Sequence, residues 1–137
     1  MSSRLIEQVL ILSNNYKRVA DQVLRERLGL TYAKFLVLEQ INLGNNTSNV
    51  ISKNLGKTEA SISRQITSLE KDHLIKRRVK ETDDRLKIIK LTRKGSLVLK
   101  NCHKVIDTYF DSKTTTIKSK DNLIKTLKTV NEDIAQL

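Results

Sequence analysis

The sequence contains no proline and no tryptophan, and it has only four glycines among its 137 residues. Because proline and glycine are the residues that most strongly disfavour helix interiors, long helices can run here without a built-in interruption. Three Tyr and two Phe are the only aromatic residues, so the core must be built mainly from Leu, Ile and Val. We expect one mainly helical domain, since a chain of this length supports a single hydrophobic core.

Cysteine and long apolar runs are also scarce. Cys102 is the only cysteine, so no internal disulfide can form and a reducing compartment is expected. No stretch approaches the roughly 20 apolar residues that span a bilayer. The apolar stretch near the N-terminus is interrupted by Glu7 and Gln8, unlike a secretory signal. The sequence therefore predicts a cytoplasmic protein without a membrane partner.

Residue groupings typical of enzymes and metal sites are missing as well. No nucleophile–base pair, Gly-rich phosphate loop or pair of carboxylates stands out, so the sequence predicts neither enzymatic activity nor a cofactor. His73 and His103 have no surrounding cluster of Asp, Glu or Cys in the sequence. That pattern argues against a metal site, which needs several such ligands together.

Positive charge, in contrast, is abundant and concentrated in the middle of the chain. The formal net charge is +11. Residues 53–95 carry 13 Lys and Arg against 6 Asp and Glu, whereas the segments on either side each have a net charge of +2. A basic region attracts polyanions, of which nucleic acid and an anionic membrane surface are the two candidates. Because no single helix pairs a Lys-rich face with an aromatic one, the centre is expected to bind nucleic acid. A Lys-rich solvated surface would explain the total charge but not its clustering.

Residues 48–72 have the pattern of a helix-turn-helix unit, in which a short helix, a turn at Gly56 and a second helix follow one another. Ile62, Ile66 and Leu69 are spaced to form the inward face of the second helix. In such a unit the second helix enters the major groove. Polar side chains off the inward face are therefore candidates to contact phosphates and base edges. These candidates are Lys57, Thr58, Ser61, Arg64, Gln65 and Ser68.

Two short strands follow, residues 74–79 and 86–91, around a polar turn at residues 81–84. We expect a β-hairpin whose basic side chains reach the DNA backbone or the adjacent minor groove. The candidates on this wing are Arg77, Arg78, Lys80, Arg85 and Lys87. Asp83 is expected to orient the wing. The alternative is that Asp83, Asp84 and Arg85 form only local ion pairs that stiffen the turn.

Apolar residues recur at alternating spacings of four and three near both ends of the chain, a pattern typical of associating helices. Because these stripes would be large exposed apolar patches in a monomer, we expect the ends to pair with a second copy. The predicted dimerisation residues are Leu5, Val9, Leu12, Leu123, Leu127, Val130 and Ile134.

The predicted fold is mainly α with a small β-hairpin. A winged helix-turn-helix at residues 30–95 is flanked by a helical dimerisation region, residues 1–29 and 96–137.

The segment 69–95 resembles the signature of the MarR family of transcription regulators. Its matching elements, in order, are Leu69-Glu70, Leu74-Ile75, Arg77, Asp83-x-Arg85 and Leu91-Thr92-x-x-Gly95. The resemblance implies a homodimer that presents two winged modules to a pseudopalindromic operator. His73 stands where the family usually has Gly. A non-Gly residue in a left-handed turn costs about 1 kcal/mol, and His tolerates that conformation better than most residues.

These features predict a sequence-specific transcriptional regulator, more specifically a repressor, with double-stranded DNA as its partner. A non-specific architectural DNA-binding protein and a winged-helix protein-interaction module are the alternatives.

The resemblance adds a small-molecule effector, since family members often bind small aromatic anions. Tyr16, Tyr32 and Tyr109 are candidates to line its pocket, although core packing is the stronger expectation for Tyr16 and Tyr109. Cys102 is expected to be a buried structural residue rather than a redox sensor.

Overall fold

A computed structural model describes residues 2–80 and 83–136, with side chains for residues 4–78 and 88–136. The described elements are α1 (Ser2–Leu28), α2 (Tyr32–Asn42), α3 (Ser48–Leu55), α4 (Glu59–Lys71), β1 (Ile75–Lys80), β2 (Asp83–Leu91), α5 (Arg93–Lys113) and α6 (Lys120–Ala135). Their order is that of a winged helix-turn-helix with additional helices at both ends, so the predicted fold class is confirmed. None of the described helices combines the length and apolar character needed to cross a membrane.

The chain divides into two compact units, Met1–Ile106 and Asp107–Leu137. The first unit contains α1 to α4, the hairpin and most of α5. The second contains the last turns of α5 and all of α6. Each unit is described by itself below.

Threonine side chains begin the three helices of the central region. The side-chain oxygens of Thr31, Thr47 and Thr58 accept hydrogen bonds from backbone N–H groups of the first turn of α2, α3 and α4. Each cap of this kind stabilises a helix by about 1 kcal/mol. Gly56 separates α3 from α4 with φ 63°, a left-handed conformation that favours glycine. The boundaries of the helix-turn-helix therefore follow from local sequence.

Asp21 of α1 contributes a further contact at the start of α2. Its Oδ1 accepts a hydrogen bond of 2.9 Å from the Tyr32 N–H, and its carboxylate lies 2.7 Å from Arg25 Nε. The hydrogen bond from the Tyr32 N–H, more than the Arg25 charge, lowers the pKa of Asp21 below its ordinary value. This side chain joins α1 to α2 by satisfying a backbone donor that the helix leaves unpaired.

The core of the first unit consists of aliphatic side chains from nearly every element. Its largest fully buried side chains are Leu24, Val37, Leu38, Ile51, Ile66, Leu69, Ile75 and Cys102. Burial raises the pKa of the Cys102 thiol to about 11, so the thiolate needed for oxidation is scarce near neutral pH. This environment supports the expected structural role of Cys102.

The hairpin is a two-stranded antiparallel sheet. Its register runs from Ile75 opposite Leu91 to Val79 opposite Lys87, and it shifts between Val79 and Lys80. The turn predicted at residues 81–84 was too long, because β2 already begins at Asp83. Cross-strand pairing there overrides the low strand propensity of Asp. Residues 81 and 82 lie outside the described structure.

Candidate nucleic-acid interface

The helix α4 is anchored by the inward face that its periodicity predicts. Ile62, Ile66 and Leu69 are at most 2% exposed, and α4 packs against α2 and α3. This packing fixes the rotation of α4 about its own axis. The opposite face of α4 is therefore the one that points toward solvent.

Arg64 lies at the centre of the exposed face of α4. It lines a shallow groove of about 450 Å³ together with the neighbouring polar side chains of the same helix. The other lining residues are Ser63, Thr67, Ser68 and Lys71. The groove thus presents hydroxyl groups around two cations, a suitable surface for phosphate oxygens and base edges.

The predicted recognition residues do not all share that face. Ser61 and Gln65 are half-buried, and with Lys57 they line a separate cavity of about 130 Å³ beside α2 and α3. Its apolar lining residues are Ala33, Leu36, Leu55 and Ile62. Thr58 uses its hydroxyl oxygen to cap α4, accepting from the Ser61 N–H at 3.1 Å. Of the predicted set, only Arg64 and Ser68 line the outer groove.

Three further residues of the outer groove were missed from the sequence, namely Ser63, Thr67 and Lys71. The helical period contained the signal, because Thr67 and Lys71 continue the spacing of Arg64 along the face opposite Ile62 and Ile66.

Neighbouring arginines of the hairpin point to opposite faces, as strand geometry requires. Arg78 is exposed. The guanidinium of Arg77 instead faces α4, where its Nη2 donates to Thr67 Oγ1 at 2.9 Å. Its Nε lies 3.5 Å from Glu70 Oε2. The two arginines therefore have different surroundings, although the sequence grouped them together.

The remaining wing candidates lie where side chains are not described. Lys80 belongs to β1, and Asp83, Arg85 and Lys87 belong to β2. Their side chains lie outside the described residues, so their expected contacts with DNA, and the orienting role of Asp83, stay predictions.

The turn between α4 and the hairpin has the left-handed conformation that the motif predicts. His73 has φ 61° and is the one non-glycine residue with positive φ among the described residues. The Thr92 hydroxyl donates to the His73 carbonyl oxygen at 2.6 Å, and the Thr92 N–H donates to the Leu74 carbonyl oxygen at 3.0 Å. These bonds, made from the start of α5, hold the turn despite the cost of a side chain at that φ.

Gly95 explains why the start of α5 can approach this turn so closely. A Cβ at this position would run into the Leu74 carbonyl oxygen and would lie 2.9 Å from the Leu74 carbonyl carbon. The Gly95 N–H also donates to Thr92 Oγ1 at 2.9 Å. The Thr-x-x-Gly motif is therefore a packing device that fixes where the hairpin leaves α4.

An aromatic cluster lies elsewhere in the first unit. Ring centroids are 5.9 Å apart for Tyr16 and Tyr32, 5.8 Å for Tyr32 and Phe35, and 5.4 Å for Phe35 and His103. His103 Nε2 lies 2.9 Å from Glu39 Oε1. Burial is the main cause that raises the pKa of Tyr32 to about 12.

Tyr109 belongs to the second unit, where its ring packs 5.2 Å from that of Phe110. Tyr16 and Tyr109 each make a ring contact, but both are only half-buried. Within the described part of the chain, no group of three His, Cys, Asp or Glu could hold a metal ion.

Comparison with known families and structures places this arrangement among transcription regulators. The family model "Transcriptional regulator SarA/Rot" matches residues 19–102. The sequence finds no match among curated proteins. The family match includes the helix-turn-helix and the hairpin.

Solved structures share the fold over nearly the whole chain. BldR, a transcriptional regulator from Sulfolobus solfataricus, has a TM-score of 0.80 at 17% identity, covering 96% of this chain and 95% of BldR. A mutant MarR from E. coli complexed with operator DNA has a TM-score of 0.76 at 20% identity, with 96% and 93% covered. The S. aureus MepR–DNA complex has a TM-score of 0.74 at 24% identity, with 100% and 98% covered. The fold that the resemblance of residues 69–95 to MarR regulators implies is therefore confirmed.

Proposed function

Because the chain belongs to the SarA/Rot family of transcriptional regulators, we propose that it is a sequence-specific repressor that binds a pseudopalindromic operator as a homodimer. In this proposal α4 is the recognition helix and enters the major groove. The hairpin contacts the flanking backbone or minor groove. The wing contacts come from Arg78, Lys80, Arg85 and Lys87, and Asp83 orients the hairpin.

The observation that carries the proposal is the exposed groove around Arg64. A guanidinium can pair with the O6 and N7 acceptors of guanine, and the surrounding hydroxyls of Ser63 and Thr67 can bond phosphates or bases. The chain's net charge of +11 adds a sequence-independent attraction to the phosphate backbone. MarR and MepR, whose fold this chain shares, have been solved with DNA.

Exposed apolar side chains support the homodimer. In α1, Leu5 and Leu12 are 61% and 67% exposed. In α6, Leu123 and Ile134 are 42% and 55% exposed, and the helix has no buried residue at all. Apolar faces of this size on a single chain favour association. We therefore assign residues 1–29 and 96–137 to dimerisation and residues 30–95 to DNA binding.

Selection from a random-sequence duplex library tests the proposal. The purified protein is mixed with the library at moderate salt, and the retained duplexes are sequenced. We expect an inverted repeat whose half-sites lie about one helical turn apart. Retention without a shared sequence would overturn the specific regulator in favour of an architectural DNA-binding protein. Failure to retain any duplex would overturn DNA binding and favour the protein-interaction module.

Release by a small-molecule effector is the last element of the proposal. The half-buried Tyr32, in the aromatic cluster with Tyr16 and Phe35, offers a ring against which a small aromatic effector can stack. A panel of small aromatic anions is added to the complex with the selected duplex, and at least one is expected to release the DNA.

A further inference from the structure

The side chain of Arg77 is committed to contacts within the protein. Its Nη2 donates to Thr67 Oγ1 at 2.9 Å, and its Nε forms an ion pair with Glu70 Oε2 at 3.5 Å. The Nε atom is buried and has no hydrogen-bond partner among the described residues. If the guanidinium turned away from α4, both contacts would be lost.

Both partners belong to α4, and one of them belongs to the proposed DNA-binding groove. Thr67 lines that groove with Arg64. The Thr67 hydroxyl oxygen accepts the hydrogen bond from Arg77, so the hydroxyl hydrogen remains free to be donated. The contact therefore orients a group on the exposed face of α4 as well as joining the hairpin to the helix.

The second strand of the hairpin is also held in place, at the residue that pairs with Arg77. Arg77 pairs across the sheet with Ile89, which is only 3% exposed. The Ile89 N–H donates to the carbonyl oxygen of Asn46, in the turn between α2 and α3, at 2.8 Å. The strand pair is thus held by Asn46 on one side and, through Arg77, by α4 on the other.

We propose that Arg77 is a positioning residue, which acts through Glu70 and Thr67 to fix the angle between the hairpin and α4. With this angle fixed, the recognition helix and the wing meet the duplex as one rigid unit, which lowers the entropy cost of binding. The inference rests on the proposed function, and it replaces the DNA contact that the sequence suggests for Arg77.

The direction in which one substitution changes the affinity for DNA tests the inference. Glu70→Gln removes a negative charge beside the DNA-binding face, so electrostatics alone predicts tighter binding. If Glu70 holds Arg77 in place, the same substitution weakens binding. We expect Glu70→Gln and Arg77→Gln each to lower the affinity about threefold to tenfold, and the double variant to bind no more weakly than Arg77→Gln alone.

Affinity is measured by fluorescence anisotropy on the duplex that the selection retains most tightly. Glu59→Gln is the matched control, because Glu59 is an exposed acid of the same helix that has no ion pair among the described residues. It is expected to bind at least as tightly as the wild type. Tighter or unchanged binding by Glu70→Gln would overturn the positioning role. A wild type that binds no duplex would instead overturn the proposed function.

Hydrogen exchange without DNA gives an independent readout. Both Arg77→Gln and Glu70→Gln are expected to speed amide exchange in the hairpin while the urea midpoint of global unfolding stays close to that of the wild type. Unchanged exchange in the hairpin would overturn the inference whatever the DNA result.

Discussion

The helices α4 and α6 have similar amphipathic sequences but opposite environments. Over 13 residues α4 buries Ile62, Ile66 and Leu69, whereas α6 buries none of its 16 residues. Both patterns predict a helix with one apolar face, and both helices form. The difference is the partner, because α4 finds α2 and α3 within its own chain, while the apolar face of α6 stays open to solvent. An apolar stripe therefore predicts which face of a helix is apolar. It does not predict whether another element of the same chain covers that face.

The largest expected effect is on the inward face of α4. Ile66→Ala removes a side chain that is 1% exposed and should lower the free energy of unfolding by about 2–5 kcal/mol, through lost burial and the cavity left behind. Urea unfolding measures the change. Ser63→Ala, on the exposed face of the same helix, is the control and should stay within about 0.5 kcal/mol of the wild type. Equal losses for both variants would contradict the assigned rotation of α4.

A substitution on α6 should act on association instead of folding of the first unit. Leu127 is 40% exposed, and Leu127→Asp places a charge in the proposed interface, where an unpaired buried charge is costly. We expect the dimer dissociation constant to rise at least about tenfold, which corresponds to 1.4 kcal/mol. Sedimentation measures it, with the exposed neighbour Lys128→Asp as control. An unchanged dissociation constant would remove α6 from the interface.

Two substitutions, Arg64→Ala on the exposed face of α4 and Arg78→Ala on the hairpin, compare the proposed DNA contacts of the two elements. Arg64→Ala should weaken binding to the selected duplex by about 1–3 kcal/mol and relax the base preference at one position of each half-site. Arg78→Ala, on the exposed face of the hairpin, should weaken binding on all sequences alike and reduce the salt dependence. Anisotropy titrations on selected and scrambled duplexes distinguish the two. If Arg64→Ala weakened both duplexes equally, α4 would not be the element that recognises sequence.

The smallest effect concerns the joint between α1 and α2. Asp21→Ala removes the acceptor for the Tyr32 N–H and should cost about 1 kcal/mol at neutral pH. Because folding lowers the pKa of Asp21 below its ordinary value of 3.8, its contribution is complete above that value. It is lost as the pH falls through the lower folded-state pKa. The stability difference between wild type and variant, followed by urea unfolding against pH, should narrow in that acidic range. A difference that widened there would contradict the assigned contact.

Local rules were sufficient for much of the fold. The apolar spacing of Ile62, Ile66 and Leu69 predicted which face of α4 is buried, and Gly56 predicted the turn before that helix. The left-handed turn at His73 followed from its place in the motif. Each of these features depends on residues within a few positions of one another.

The parts of the interface that sequence did not predict depend on distant packing. The two-residue alternation of a β-strand predicts that Arg77 and Arg78 point to opposite faces of the hairpin. Only the packing of the hairpin against α4 decides which of them meets Glu70. Likewise, Ser61 and Gln65 are half-buried because α2 lies beside them, and that position is set by the tertiary packing of the core.

The stoichiometry of the complex is the most direct test of paired DNA recognition. The mass of the complex is measured by sedimentation on a duplex with the complete selected repeat and on one with a single half-site. Two chains on the complete repeat, with much weaker binding to the half-site, is the predicted result. One chain per complete repeat, bound as tightly as to the half-site, would contradict it.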